Sequence, residues 1–434
     1  PAGRLALLQA VSELAVAQQM ALYIVGGFVR DLLLDRPSVD FDLVVEGDAI
    51  ALGKALSEKF GGRVVSHKRF GTAKWQLFEI HPQLTKVLQT ELKISVDDFP
   101  ETLDLVTARR EFYTYPTALP TVERGSIKLD LHRRDFTINT LAMRLDGQHY
   151  GDLYDYWGGL ADLQNGLVRV LHSLSFVDDP TRILRAVRFE QRFGFRIGER
   201  TRELLDNALS LLERVSGDRL RHEMKIILEE PKWKAMLGRL AELGVFKAID
   251  AEIPWDQATE TRIELGMKSV PPVEWDVQLS QESGVLPISL AYILWLVELT
   301  EEQAKATSKR LRLPGWLRDT LLAVIRLKED QSKMKEFSPS EMVNRFEAEP
   351  ELALFVFSLV LTDDSLTKKI ERYFLEWRKV HPHTSGDDLR QRKIPPGPMY
   401  GKILDQLRAA WLDGKIRSKK EENKLLEALL NEDK

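Results

Sequence analysis

Hydrophobic and polar positions divide the chain into two regimes. Over residues 1–160 the pattern alternates between helical and strand periods. Leu5–Met20 repeats at helical spacing, Leu22–Val25 is a short apolar run, and Gly26-Gly27 breaks the chain before a helix over Phe28–Leu34. Val39–Val45 alternates as a strand, Ala49–Phe60 reads as a helix, and Thr72–Ile80 and Thr102–Thr107 read as strands. Residues 81–101 form a polar, irregular insertion, and Tyr113–Gly125, with two prolines and no clear period, reads as a loop.

Beyond Gly158-Gly159 the period becomes helical and stays so. Helices are expected near 178–193, 199–213, 217–229 and 232–243, then onward to the C-terminus. Pro271-Pro272, Pro314 and Pro395-Pro396-Gly397-Pro398 are the main breaks, and no internal repeat is visible. The expected architecture is a mixed α/β head over 1–158 and an all-α remainder. That remainder is divided into a neck (159–243), a body (244–340) and a tail (341–434).

Composition narrows the chemistry. A chain of 434 residues, 44 % hydrophobic, fills more than one core, and no apolar run reaches the length of a spanning helix. Cysteine is absent, so disulfides and thiolate metal sites are excluded, which fits a reducing cytoplasm. With 8 histidines, a metal would be held mainly by oxygen. The net charge of −4 does not advertise nucleic-acid binding, yet seven arginines fall between 182 and 202, and 415–424 reads KIRSKKEENK. Such a stripe either grips phosphates or is a solvated helix face.

Asp40-Phe41-Asp42 places two carboxylates on one face of the expected strand, because alternation points residues i and i+2 the same way. Two like charges so close repel unless a cation stands between them, and Mg²⁺ accepts carboxylate and phosphate oxygens. The alternative is a chance pair at a strand end. Asp104, between Leu103 and Leu105, is a candidate third acid or a solvent-facing one. The preceding strand–Gly26-Gly27–helix offers backbone N–H groups for a phosphate, with Arg30 one turn in.

Four ordered segments carry a family likeness. GGFVRD (26–31) followed by DFD (40–42), HRRDFTIN (132–139), DDPTRILRAVRF (178–189) and SGDRLRHE (216–223) resemble the motifs of the tRNA nucleotidyltransferase and bacterial poly(A) polymerase group. That group is class II of the polymerase-β-like superfamily. The resemblance runs from about Leu22 to Glu229, roughly half the chain.

The resemblance implies a polymerase-β-like catalytic head that adds nucleotides to an RNA 3′ end without a template. Asp40 and Asp42 would hold two Mg²⁺ ions, with Asp104 as an auxiliary ligand or base. Gly26, Gly27 and Arg30 would meet the triphosphate, Arg134 the nucleotide and Asn139 the ribose. Asp179 and Arg182 would read the incoming base from one helix face, with Arg185 and Arg188 on phosphates. A carboxylate accepts from the exocyclic amine shared by cytosine and adenine, and arginine donates to a ring nitrogen or carbonyl. Asp178 and Asp218 stand where the family more often has glutamate, and Pro180 follows Asp179.

Residues 108–128 resemble the family's flexible loop, and the helical half is expected to clamp the acceptor and TΨC arms of tRNA. Trp255, Trp275, Trp295, Trp316 and Trp377 are expected in the core. Segments 41–48, 67–74 and 115–123 resemble the A-adding subgroup, which uses ATP on tRNA ending in CC and implies a separate CC-adding enzyme. That subgroup often carries extra N-terminal domains, which would suit a chain that starts at Pro1. The alternatives are a full CCA-adding enzyme using CTP and ATP, a poly(A) polymerase and a non-catalytic RNA-binding relative.

Overall fold

The computed structural model describes residues 2–36, 42–77, 100–112, 121–277, 286–392, 394 and 397–432. Asp40 and nearly all of the insertion 81–101 lie outside the described residues. The chain forms two compact units, one of residues 1–215 with 230–248, the other of residues 216–229 with 249–434.

The first unit is built on a seven-stranded sheet in the order β3-β4-β5-β2-β1-β8-β9. Its strands are β1 (Ala21–Val25), β2 (Asp42–Glu46), β3 (Arg63–His67), β4 (Thr72–Gln76), β5 (Thr102–Thr107), β8 (Ala142–Arg144) and β9 (Leu153–Tyr154). Only β2 and β5 run parallel; the other neighbours are antiparallel. Helix α1 (Ala2–Ala17) precedes β1, α2 (Gly27–Leu33) follows it, and α3 (Ala49–Phe60) follows β2. Leu52, Leu56 and Phe60 of α3 are buried, and Gly53 brings α3 so near β4 that an added Cβ would stand 3.2 Å from that of Ala73. On the other face Tyr23, Val25, Val44 and Ala142 pack with Ile127 and Leu131 of the helix Ile127–His132. The Glu46 carboxylate accepts from the first amide of that helix (2.6 Å), which ties the helix start to β2.

Several expectations change. The Tyr113–Gly125 loop is too long: Thr121–Arg124 is a strand, β7, pairing antiparallel with β6 (Arg109–Phe112). The prolines that argued for a loop are confined to 116 and 120, and the flanking residues still pair. Strands β3 and β8 were not foreseen: Val64 and Val65 stand side by side in β3 with no alternation, and the three residues of β8 are too few to show one. The helix expected over 178–193 is in fact two, Ser175–Asp178 and Arg182–Phe193. Asp179 between them is extended (φ −143°, ψ 95°) because a residue before proline is driven out of the helical region. Residues 209–214 tighten to a 3-10 turn, and the helices Gly217–Glu229 and Trp233–Glu242 stand as read.

The second unit is helical among the described residues. Reciprocal capping boxes start the helices Glu301–Arg310 (Thr300 with Gln303) and Pro339–Glu347 (Ser338 with Glu341). The apolar helix Leu286–Leu296 is buried along nearly its whole length against Gln257–Lys268, where an added Cβ at Gly266 would come within 2.9 Å of the Leu290 and Ala291 backbone. Trp275, Trp295 and Trp377 are core residues as expected, whereas Trp255 and Trp316 are only half-buried. No described helix is long and apolar enough to cross a membrane.

Candidate functional site

Pairing at the sheet centre explains where the site forms. In the antiparallel ladder of β1 and β2, Val25 stands opposite Asp42, so the strand that ends in Gly26-Gly27 delivers α2 beside the Asp42 carboxylate. In the parallel ladder Asp42 pairs with Asp104, and Asp104 pairs with Lys74 of β4. The row Lys74–Asp104–Asp42 therefore lies on one sheet face, since ladder partners point the same way. Lys74 Nζ stands 3.4 Å from the Asp104 carboxylate, and both side chains are about half exposed. Asp104 is thus adjacent to Asp42 but already has a cationic partner. Among the described residues no cluster of three metal-ligating side chains occurs.

Asp42 is exposed and lines a cleft of about 460 Å³. Seven arginines (30, 133, 134, 182, 185, 188 and 192) face three aspartates (42, 135 and 179) in it, with Gly27 and Asn139. That excess of fixed positive charge in a concave site favours a polyanion such as a triphosphate. Asp104 and Gly26 are not among the lining residues.

The arginines are held by buried carboxylates. Asp135 Oδ2 accepts from Arg185 Nε (2.9 Å) and Nη2 (2.5 Å), while Oδ1 accepts from Asn139 Nδ2 (2.9 Å). Asn139 Oδ1 in turn accepts from Arg30 Nη1 (2.5 Å), and Arg30 Nε donates to Asp31 (2.8 Å). Arg30 also lies over the rings of Phe189 and Phe193, 5.2 and 4.6 Å from their centroids. Asp130, fully buried, accepts from Arg133 Nη2 (2.8 Å) and Arg134 Nη2 (3.3 Å). Asn139 and Arg30 are therefore parts of a scaffold that also lines the cleft. Sequence reasoning missed Asp130 and gave Asp135 no role, though Asp135 lies inside the RRD segment itself.

Burial raises the Asp135 pKa, but the Arg185 charge and the Asn139 and Arg185 hydrogen bonds outweigh it and bring it to about 2. A depressed carboxylate contributes stability in full above its unfolded value of about 3.9 and loses it as pH falls through the folded value. Acid unfolding followed by circular dichroism should show a loss of about 2 kcal/mol between pH 4 and 2 that is missing from Asp135→Asn. An identical pH slope in the variant counts against the network.

Gly26 has a different job from the one expected. Its amide donates to Leu141 O (2.9 Å) and so is not offered to a phosphate. At φ +67° a β-carbon would stand 2.5 Å from Arg134 Nη1, so the glycine leaves room for that guanidinium. Gly26→Ala should lower stability by about 1–3 kcal/mol and displace Arg134, read as a drop in thermal midpoint with weakened nucleotide binding. A variant matching the wild type in both would remove that steric argument.

Asp179 and Arg182 both reach the cleft, but not as neighbours on one helix face. Asp179 precedes the helix, and its Oδ1 accepts from Thr181 N (3.0 Å) and Oγ1 (2.6 Å). Arg182, buried in the first turn, donates from Nη1 to Ser175 Oγ (2.6 Å) and from Nη2 to the Arg133 carbonyl (2.9 Å). The bend at Pro180 brings the pair to one site by a route that helical spacing does not describe. The arginine row also divides: residues 182, 185, 188 and 192 line the cleft, whereas Arg200 and Arg202 pair with Glu203 and Asp206 on the surface.

Residues 22–169 match the family described as poly A polymerase head domain, and residues 194–253 match the one described as "probable RNA and SrmB- binding site of polymerase A". An A-adding tRNA nucleotidyltransferase of Geobacter sulfurreducens is 34 % identical over 98 % of this chain and 47 % of its own. The A-adding tRNA nucleotidyltransferase of Halalkalibacterium halodurans is 31 % identical over 96 % of this chain and 90 % of its own. A CC-adding tRNA nucleotidyltransferase of Geobacter sulfurreducens is 28 % identical, covering 96 % and 94 %. The chain thus spans about half the length of the first of these relatives and most of the other two. Among solved structures, an apo CCA-adding enzyme superposes with a TM-score of 0.73 at 31 % identity, covering 98 % of this chain and 95 % of that one. The CCA-adding enzyme of Thermotoga maritima complexed with tRNA-CCA gives 0.65 at 30 % identity, covering 99 % and 95 %.

Proposed function

The chain belongs to the family of tRNA nucleotidyltransferases with the poly(A) polymerase head domain, and from that premise we propose that it adds the terminal A to tRNA ending in CC. The observation that carries this reading is the arginine cleft with Asp42 at its edge and Asp179 and Arg182 in its wall. Seven guanidiniums match a nucleoside triphosphate and the phosphates of an RNA end. A carboxylate beside a forked donor matches the amino group and ring nitrogen of adenine.

In the proposed reaction the RNA 3′-hydroxyl gives up its proton to water as its oxygen attacks the α-phosphorus of ATP in line. A new P–O bond forms, the α–β bridging bond breaks, and pyrophosphate leaves with its electron pair. Arg185 and Arg188 hold phosphate oxygens, and Asp135 keeps Arg185 from swinging as charge moves to the leaving group. Arg182, fixed by Ser175 and the Arg133 carbonyl, presents its remaining face to the base edge. An exposed carboxylate open to a triphosphate-sized cleft is a hard-oxygen donor, so Asp42 fits Mg²⁺. With Asp40 it would hold the ion, which when bound supplies charge neutralisation at the reacting phosphate. Asp104, paired beside Asp42 in the ladder and half exposed, would serve as the auxiliary ligand, since its exposed ion pair with Lys74 exchanges at small cost.

Preference for A addition is supported by the A-adding relatives, one of them from an organism whose CC-adding enzyme is less similar to this chain. The same pair supports a separate CC-adding enzyme acting on the same tRNA. Full CCA addition is the second reading, favoured by the solved structures. The test is incubation with Mg²⁺ and labelled ATP or CTP on tRNAs ending at the discriminator, at C or at CC. One A added only to the CC end, with no CTP consumed, is the expected result. Stepwise C, C, A addition would establish the second reading, and silence on all three would leave only RNA binding.

A further inference from the structure

Away from the arginine cleft, the second unit carries a smaller cavity of about 360 Å³ that no part of the proposed reaction uses. It lies between the helix Gly217–Glu229, the helix Leu286–Leu296 and the start of the helix Gly315–Met334. Its two sides differ chemically. Arg221, His222 and Lys225 form a basic rim on one helix, and Asp218, which also lines the cavity, is neutralised by Arg221 and Arg312. Ile288, Tyr292 and the half-buried Trp316 form an apolar and aromatic wall.

We infer that this cavity takes one unstacked nucleotide of a bound RNA, its base against Trp316 and its phosphate on the basic rim. The volume is at the low end for ligand pockets, of about 300–1,000 Å³, which suits one base with its phosphate rather than a duplex. A flat aromatic beside cationic side chains is the chemistry that binds single-stranded nucleic acid with little regard to base identity. The rim charges are complementary to a phosphodiester, and Lys225 makes a 3.7 Å ion pair with Glu229, both side chains nearly half exposed. Solvent-exposed pairs of that kind exchange for a phosphate at small cost.

The walls are fixed before any ligand arrives. An added Cβ at Gly217 would stand 2.3 Å from Arg310 O, so the helix start packs directly on the 310–312 backbone. Arg221 Nη1 donates to the carbonyls of Leu311 (3.0 Å) and Arg312, and its Nη2 donates to Asp218 (3.0 Å). Asp218 also accepts from Arg312 (2.7 Å), which closes the ring of contacts. The Tyr292 hydroxyl donates to the Arg221 carbonyl (3.4 Å), and burial raises its pKa, so it stays a neutral donor. Arg221 is thus committed to the wall, which leaves His222 and Lys225 as the phosphate contacts. A preorganised site loses less entropy on binding.

The inference rests on the reading of an RNA substrate, and its test is read from binding, so the two fail separately. Labelled tRNA ending in CC is titrated with the full chain, and the dissociation constant is measured by anisotropy over a range of salt. Trp316→Leu should weaken binding about tenfold and Trp316→Phe should recover most of that loss. Lys225→Gln should make the salt dependence shallower by about one counterion. The KM for ATP should not move in any of them. Unchanged tRNA affinity in a Trp316→Leu protein of wild-type thermal midpoint overturns the proposal. So does a raised KM for ATP with tRNA affinity intact, which would make this a free-nucleotide site. If Trp316→Leu unfolds, Lys225→Gln decides, because its side chain is nearly half exposed; an unchanged salt slope then refutes the inference. A wild-type chain that binds tRNA but adds nothing refutes the catalytic reading alone, and one that binds no tRNA refutes both.

Discussion

Asp42→Ala should reduce incorporation by about a thousandfold or more while tRNA affinity stays within about twofold. The carboxylate is exposed at the edge of the cleft, so its removal creates no cavity and breaks no core packing. Its neighbours along the row are Asp104 and Lys74, and a lone Asp104 carboxylate on the next strand does not replace a lost ligand at the position of Asp42. Loss of a hard-oxygen metal ligand costs several kcal/mol of charge stabilisation, and about 1.4 kcal/mol is a factor of ten in rate. Filter binding and single-turnover incorporation on one preparation separate the two quantities. Comparable loss of both would argue that Asp42 positions RNA rather than a metal. Asp42→Asn should be nearly as slow, since the amide keeps the shape but not the charge.

Arg182→Ala is the second large expectation, and its signature is selectivity rather than speed. Discrimination of ATP against GTP and UTP should fall by about tenfold to a hundredfold, the value of one well-made forked contact to a base. The geometry explains why Arg182 is suited to reading and not simply to attracting. Two of its N–H groups are committed to Ser175 Oγ and the Arg133 carbonyl, so the guanidinium plane is set before a base arrives. Arg182→Lys should relax selectivity as well, because an ammonium keeps the charge but lacks the planar fork. Competition between labelled triphosphates on tRNA ending in CC gives the ratio directly. A variant that slows uniformly while keeping full selectivity would assign Arg182 to the scaffold. Thermal midpoints control for the two structural bonds that the alanine removes.

These two residues also show how much of the site could be read from the chain. Alternation along β2 and β5 sufficed to call Asp42 and Asp104 strand residues, and helical spacing sufficed to gather Arg182, Arg185 and Arg188 on one helix. Both are local consequences of a repeating backbone, so a single sequence carries them. The break at Asp179 is legible too, from Pro180, which drives the residue before it out of the helical region although the apolar period runs on unbroken. The hairpin of β6 and β7 was hidden because each strand is four residues long and the segment between them is rich in proline.

What the sequence alone determined is therefore the kind of element wherever a period runs long enough, the face most side chains take there, and the inventory of charges available to a site. The tertiary structure alone decided which charges meet. Asp135 reaches Arg185 fifty residues on, and Arg30 reaches Asn139 across 109. Lys74 turns out to stand on Asp104, and Gly26 proves to make room for Arg134 and not to offer its amide. Periodicity is a property of one segment and says which way a residue points. Partnership depends on the register and packing of separate segments, and the period of neither one encodes it.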